Sequence, residues 1–410
     1  MNTEIEIPVS ELKSILPGLG KITPHSRSLP VLGCIHVSLD QDRQFISLQA
    51  NDLDQMATVR LENKAHGLPG ALLVPLDMFA KLIKGCSPDQ AIRLISAKEE
   101  TKIRYTVAGS QVERLLSHIP TEEWPPAKII TEEPITLDDA FKQALKEALE
   151  CASADSSRYI LNGACLDIRN KEAHYVVGTD GRHLYSANSF AFGLPESLIV
   201  PVAKFVTWPG FVNDGPWKLR MLPGIKVDPE DKDKSKEAPP WLQIESDRWT
   251  YIAKAIDGQF PNWKQVAPVT NSKWTIVNLA SAAVQAILEA LPLLPGADDT
   301  NQPVVLDVNE TGIVLKARGR DQKDDTRVPI VDVRVTGKPV ETSVNRVYLG
   351  RALRFGLNTI QIEDPLSPLL FTNGGRTMIV MPLRGEAALA QEAGQPPSPP
   401  ENASAAHPWY

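Results

Sequence analysis

In Thr179-Asp180-Gly181-Arg182-His183-Leu184 a carboxylate and an imidazole stand three residues apart around a glycine. A polar turn at the glycine is expected to expose Arg182 and His183 beside Leu184, and an aspartate with a histidine is a possible general-base pair. The chemistry such a pair could serve is hydrolysis, with Asp180 orienting and His183 accepting a proton. Covalent hydrolysis also needs a nucleophile in a supporting pattern, and the local sequence supplies none. A hydrolase using Asp180 and His183 is therefore the weaker reading of this hexapeptide. Metal chemistry has no better footing. The four cysteines, Cys34, Cys86, Cys151 and Cys165, show no CxxC or regular spacing, so neither a zinc site nor a disulfide framework is indicated. No metal or cofactor is expected.

The elements that position this turn are legible around it. Residues 158–168 are β-branched and apolar and read as a buried strand. Asn170-Lys171-Glu172 is a polar turn, and residues 174–177 read as the returning strand. This stretch has an echo earlier in the chain. Leu32-Gly33-Cys34-Ile35 corresponds to Leu161-Asn162-Gly163-Ala164-Cys165-Leu166, and Asn51-Asp52-Leu53 stands where Thr179-Asp180-Gly181 stands later. Leu72-Leu73-Val74-Pro75 recurs as Leu198-Ile199-Val200-Pro201, and Trp124-Pro125 as Phe260-Pro261. Four matches in one order, each about 130 residues apart, mark a repeated domain.

A length of 410 residues accommodates three such repeats and a remainder. The expected domains are residues 1–131, 132–267 and 268–384, with 385–410 as a disordered Ala-, Glu- and Pro-rich tail. In the first, a strand at Ile5 and Ile7 precedes a helix ended by Pro17-Gly18, a strand over 31–39 and a helix after Pro75. In the second, a helix runs through Cys151, a short helix runs from Val200 to Phe211, and a charged, Pro-flanked insertion occupies 228–240. In the third, a helix over 279–294 precedes a strand over 328–335, a helix opened by Asn345, and a closing hairpin turning at Asn373-Gly374-Gly375. Two helices packed on antiparallel sheets in each repeat make an α+β fold.

With 50 acidic and 43 basic residues the net charge is −7, which argues against a protein coated in positive charge. A basic set facing one way remains open, because a helix in every repeat carries Lys or Arg on its flank. A shared anionic partner, contacted without regard to sequence, suits that recurrence. The first twelve residues have no basic segment followed by an apolar one, and no apolar run is long enough to span a bilayer. A cytoplasmic protein away from membranes is expected.

Taken together, Leu29-Pro30-Val31-Leu32-Gly33, Arg158-Tyr159-Ile160-Leu161-Asn162-Gly163, Thr179–Leu184, Asp257-Gly258-Gln259-Phe260-Pro261 and Val380-Met381-Pro382-Leu383-Arg384 resemble the bacterial sliding-clamp family, the beta subunits of DNA polymerase III. The resemblance spans residues 1–384. It implies three similar domains per chain and a head-to-tail homodimeric ring around double-stranded DNA, sheets outside and helices inside. It implies a processivity factor without catalytic residues, tethering a replicative polymerase subunit, clamp loader and other clamp-binding-motif proteins to DNA in a bacterial cytoplasm. Partners of the family insert a short linear peptide into an apolar pocket. By motif position its walls here would be Leu161, Thr179, Gly181, Arg182, His183, Leu184, Pro261, Val266, Asn345, Tyr348, Ile379, Met381, Pro382 and Leu383. DNA-facing candidates are Arg27, Lys81, Lys84, Lys142, Lys146, Arg158, Lys204, Arg346, Arg351 and Arg354. Dimer contacts would bring Leu115 and Leu116 against the 291–294 region. The chain departs from the family in placing Arg182 before His183, and in having Gln265, Asp77 and Met78 where basic residues are common. Either Arg182 or His183 could be the polar pocket contact. A specialised or mobile-element clamp with altered partner choice is the alternative within the family.

Overall fold

The computed structural model describes residues 3–23, 29–65, 67–97, 100–225, 238–268, 271, 273–320 and 322–384. Most of the 228–240 insertion, the 385–410 tail and Arg27 lie outside them. The chain forms two compact units, Met1–Lys146 with Phe192–Asp257, and Glu147–Ala191 with Gly258–Tyr410. The middle third of the sequence is thus divided between them.

The first unit is built on an eight-stranded antiparallel sheet in the order Gly70–Pro75, Cys34–Leu39, Phe45–Asn51, Gln55–Glu62, Trp249–Lys254, Trp241–Glu245, Trp217–Leu222, Ile135–Leu137. In the second unit, eight strands run in the order Gly163–Asp167, His174–Thr179, His183–Phe190, Arg376–Val380, Leu369–Asn373, Thr359–Ile362, Thr275–Leu279, Val333–Thr336. Each sheet joins a three-strand meander to a second meander from far along the chain. The joins match in register. Met56 pairs with Ile252 in one unit, and Leu184 with Ile379 in the other. Each unit also holds a four-stranded sheet. One runs Thr3–Pro8, Ala91–Ala97, Glu100–Val107, Ser110–Leu116, and the other Thr326–Ile330, Gly312–Ala317, Pro303–Asn309, Val340–Asn345.

The strands alternate because successive side chains point to opposite faces, as in Thr3–Pro8, where Ile5 and Ile7 are buried between half-buried glutamates. The helices bury one stripe. Val9, Leu12, Ile15, Leu16 and Leu19 do so in Val9–Leu19, which packs on Leu76–Gly85 through Leu76, Phe79 and Ile83. Likewise Ser281–Ala290 packs on Arg346–Arg354.

Several local expectations are corrected. The first helix runs past Pro17 to Leu19, because Gly18 lies against the ring of Trp208, where any side chain would collide. Residues 156–161 form a 3₁₀ turn before the Gly163–Asp167 strand, held by Asp155 accepting from the Ser157 N–H and by Asn162 donating to the Ser153 and Asp155 carbonyls. Pro30–Gly33 makes a matching 3₁₀ turn before Cys34–Leu39. Val200 belongs to a strand, Leu198–Pro201, with helix confined to Pro209–Val212. Between these spans Phe205 and Trp208 pack against Trp249, at a spacing set by the aromatic cluster rather than by helical period. Asp332, at φ +60, breaks the 328–335 strand so that its halves enter different sheets. Ser281–Ala290 is shorter than the 279–294 reading, since Leu279 ends a strand. Leu291 and Leu294 are buried in their own unit, which leaves Leu293 exposed in that stretch and Leu115 exposed on the Ser110–Leu116 strand.

The last turns of Asp139–Cys151 press on the His174–Thr179 strand at Gly178, where a Cβ would meet the carbonyl and Cα of Ala148. Backbone cannot yield as a side chain can. Gly178→Ala should therefore destabilise the protein by about 3 kcal/mol, seen as a lower urea midpoint. An unchanged midpoint would show that this contact is not tight.

Candidate functional site

The turn between His174–Thr179 and His183–Phe190 is specified by its own side chains. Gly181 takes φ +86, a region open to glycine. Thr179 Oγ1 accepts the Gly181 N–H at 3.0 Å and donates to the His183 carbonyl at 2.6 Å. Asp180 Oδ1 accepts the Arg182 and His183 N–H groups at 2.8 and 3.0 Å. The result sends neighbouring side chains opposite ways. Arg182 is exposed and His183 is 3 % exposed.

The His183 ring is enclosed on several sides. It stacks on Tyr348 at 4.1 Å between centroids, while the Tyr348 hydroxyl donates to Asp180 Oδ2 at 2.9 Å. Arg351 lies 2.7 Å from Nε2 and Asp180 Oδ1 lies 2.8 Å from Nδ1. A guanidinium only donates, so Nε2 accepts and the ring proton sits on Nδ1, donated to Asp180. Burial pulls the His183 pKa down, Asp180 pulls it back, Arg351 pushes it down again, and the net direction is below the ordinary value of 6.5. For Asp180, burial raises the pKa, but the hydrogen bonds from His183 and two backbone N–H groups outweigh it and hold the carboxyl at about 2. Burial, then the neighbouring Asp180, pushes the Tyr348 hydroxyl up to about 12.

This arrangement overturns the hydrolase reading. Nε2, the atom that would take a nucleophile's proton, is occupied by Arg351. The Cys151 thiol, which also interacts with Arg351, is pushed up by burial and stays protonated. The Asp180–His183 pair holds a shape.

Thr179, Gly181, Arg182, His183, Leu184, Val266, Ile379 and Met381 line one shallow cleft. Leu184 and Ile379, paired across adjacent strands, form its buried floor, and Val266 and Met381 are half-buried walls. The Met381 N–H donates to the Arg182 carbonyl at 3.1 Å, which ties the final strand to the turn. Val266 ends the 3₁₀ turn Trp263–Val266, whose indole N–H donates to Asp167 Oδ2 at 2.8 Å. Arg169, paired with Asp167 at 2.7 Å, donates to the carbonyls of Phe260 and Pro261. Asp167, Arg169 and Trp263 are functional supports that the sequence reading missed. The contacts of Asp167 and Arg169 with Trp263, Phe260 and Pro261 span more than ninety residues, and no local pattern announces them. The cleft is an apolar groove with a cation, Arg182, at its edge.

The other expected pocket residues sit around this core. Tyr348 backs His183, Pro261 is held through its carbonyl, and Leu161 is buried at the end of the 3₁₀ turn. Asn345 caps its helix by accepting the Val347 N–H. Pro382 is half-buried beside Met381. Leu383 is corrected: its N–H donates to the Ser343 carbonyl, and it lines a separate charged cleft with Asp299, Lys316 and Arg384.

Among the DNA-facing candidates, Lys81, Lys84, Lys146, Arg158, Lys204 and Arg354 are exposed. Three are corrected. Arg346 is 5 % exposed, and its guanidinium gathers the carbonyls of Leu291, Leu294, Pro295, Gln302 and Pro303 beyond the Ser281–Ala290 helix. Lys142 is 7 % exposed and bound to the carbonyls of Val212 and Gly215 and to Asp139. Arg351 is committed to His183.

The folded state refuses the proton that an unfolded His183 accepts below pH 6.5. That contribution to stability is complete above this value and is lost as pH falls below it. Asp180 adds a second loss as pH falls from 3.8 toward about 2. The wild-type urea midpoint should therefore drop further than that of His183→Gln between about pH 7.5 and about pH 5.5. Equal drops would mean that His183 titrates normally in the fold.

No family profile matches the chain. Whole-length relatives do. The chain is 26 % identical over 380 residues to the beta sliding clamp of Proteus mirabilis, covering 87 % of this chain and 93 % of that protein. It is 23 % identical over 367 residues to the beta sliding clamp of Vibrio cholerae, with the same coverage. Its fold superposes on the Pseudomonas aeruginosa DNA polymerase III subunit beta bound to griselimycin with a TM-score of 0.75 at 19 % identity, over 94 % of this chain and 100 % of that one. The Caulobacter crescentus beta sliding clamp gives 0.76 at 19 % identity, over 94 % and 99 %. Along nearly its whole length the chain is similar in sequence to bacterial beta sliding clamps, and it shares their fold.

Proposed function

We propose that the protein is a DNA sliding clamp, a processivity factor that encircles duplex DNA and tethers the replicative polymerase and other proteins through the cleft at Leu184 and Ile379. The cleft carries this reading. It is an apolar groove with a flexible Met381 wall and a single exposed cation, Arg182, which suits a short extended peptide with hydrophobic anchors and an acidic residue. Arg182 is the polar contact, since His183 faces inward. The role is non-enzymatic.

The working form is a head-to-tail homodimer with three domains per chain, at residues 1–131, 132–267 and 268–384. The repeated plan of the two large sheets supports the repeat, and exposed Leu115 and Leu293 offer apolar surface for the subunit contact. Exposed Lys81, Lys84, Lys146, Lys204 and Arg354 supply salt-sensitive, sequence-independent contact with the phosphate backbone. The clamp loader shares the same cleft, in a bacterial cytoplasm. Among the described residues no helix is long and apolar enough to cross a membrane.

Fluorescence polarisation of labelled Gln-Leu-Asp-Leu-Phe tests the reading. Saturable micromolar binding, weakened about tenfold by Met381→Ala, is expected. A well-folded wild type that does not bind the peptide would overturn it.

A further inference from the structure

The first unit contains a second cleft at the position that the internal repeat assigns to the first. The turn Asn51-Asp52-Leu53-Asp54-Gln55 shares its backbone-accepting bonds with the one at residues 179–183. Asn51 Oδ1 accepts the Leu53 N–H at 2.7 Å, as Thr179 accepts that of Gly181. Asp52 Oδ1 accepts the Asp54 and Gln55 N–H groups at 3.1 and 2.7 Å, as Asp180 accepts those of Arg182 and His183. The Gln55 amide donates to Asp52 Oδ2 at 2.8 Å, taking the place of the His183 ring. Met56, Ile252 and Ile130 form one buried cluster, corresponding to Leu184, Ile379 and Val266.

Two features separate this cleft from plain core. Leu53 holds φ +81, where its counterpart is a glycine at +86, and is 51 % exposed. A leucine in the left-handed region is strained, and here Leu53 lines a cleft with Pro125, Trp241 and Lys128. Charge supplies the second feature. Asp54, in the position of Arg182, is paired with Lys254 at 3.5 Å. Lys128, exposed and 5.6 Å from the centre of the Trp241 ring, is the cation that lines the cleft.

We infer that this cleft is a second docking site for an extended peptide segment of a partner protein, one with a bulky apolar side chain seated between Leu53, Met56 and Trp241 and a carboxylate facing Lys128. The inference rests on the peptide-tethering reading of the first cleft.

The test uses the full chain and Gln-Leu-Asp-Leu-Phe with a photoreactive benzoyl group on the phenyl ring, cross-links being mapped by mass spectrometry. With Met381→Ala, which weakens the first cleft, cross-links should persist at residues 51–56 and 241–252. Polarisation should show a residual phase that Lys128→Glu or Leu53→Gly weakens roughly tenfold. Both variants are expected to fold, since Lys128 is exposed and glycine suits φ +81. Cross-links confined to residues 179–184 and 379–381 in the wild type, with none left in Met381→Ala, would overturn the second site and leave the first intact. No cross-link in either chain would overturn both.

Discussion

The pairing of His183–Phe190 with Arg376–Val380 is the constraint on which the second unit depends. These strands lie almost two hundred residues apart in sequence, yet each supplies the backbone partners that the other's N–H and C=O groups need. The pairing puts Leu184 beside Ile379 and lets Met381 close on the Arg182 carbonyl. It also brings Arg376 to Glu147, a carboxylate only 1 % exposed that accepts from the Tyr185 hydroxyl as well. A charge so buried is tolerable only with both partners in place. Register, cleft and buried ion pair therefore form together.

The chemistry of the turn shows how one residue pair can serve shape instead of reaction. Asp180 and His183 have the spacing and hydrogen bond of a general-base pair, but Tyr348 and Arg351 occupy the remaining face and nitrogen of the ring. A neutral imidazole with both nitrogens engaged is a rigid strut. Beside it, Arg182 is exposed. The order Arg182-His183 decides which side chain reaches solvent, because successive residues of a strand point to opposite faces.

The repeat also shows how a duplicated turn diverges. Asp52 and Asp180 make the same backbone contacts, so both turns retain their geometry. What changed is the surface. Leu53 stands where the other turn has a glycine, Asp54 where it has an exposed arginine, and Lys128 lies over Trp241. Like local bonding with different edges leaves two clefts that differ in lining.

The α+β class, the alternation of the strands and the turn at Asp180-Gly181 were all legible in the sequence, because each is written in local spacing. Eight of the expected pocket residues do line one cleft, since a repeated hairpin and a closing strand carry them as blocks. The basic residues were another matter. Lys142, Arg346 and Arg351 stand at helical positions no different in sequence from Lys146 and Arg354, yet carbonyls or a histidine from distant segments claim them. Likewise the brace of Asp167, Arg169 and Trp263 is invisible until the chain folds. Local periodicity determines which elements form and which face is apolar. Only tertiary structure decides which charges are left free, because burial and partnership depend on residues that the sequence places far away.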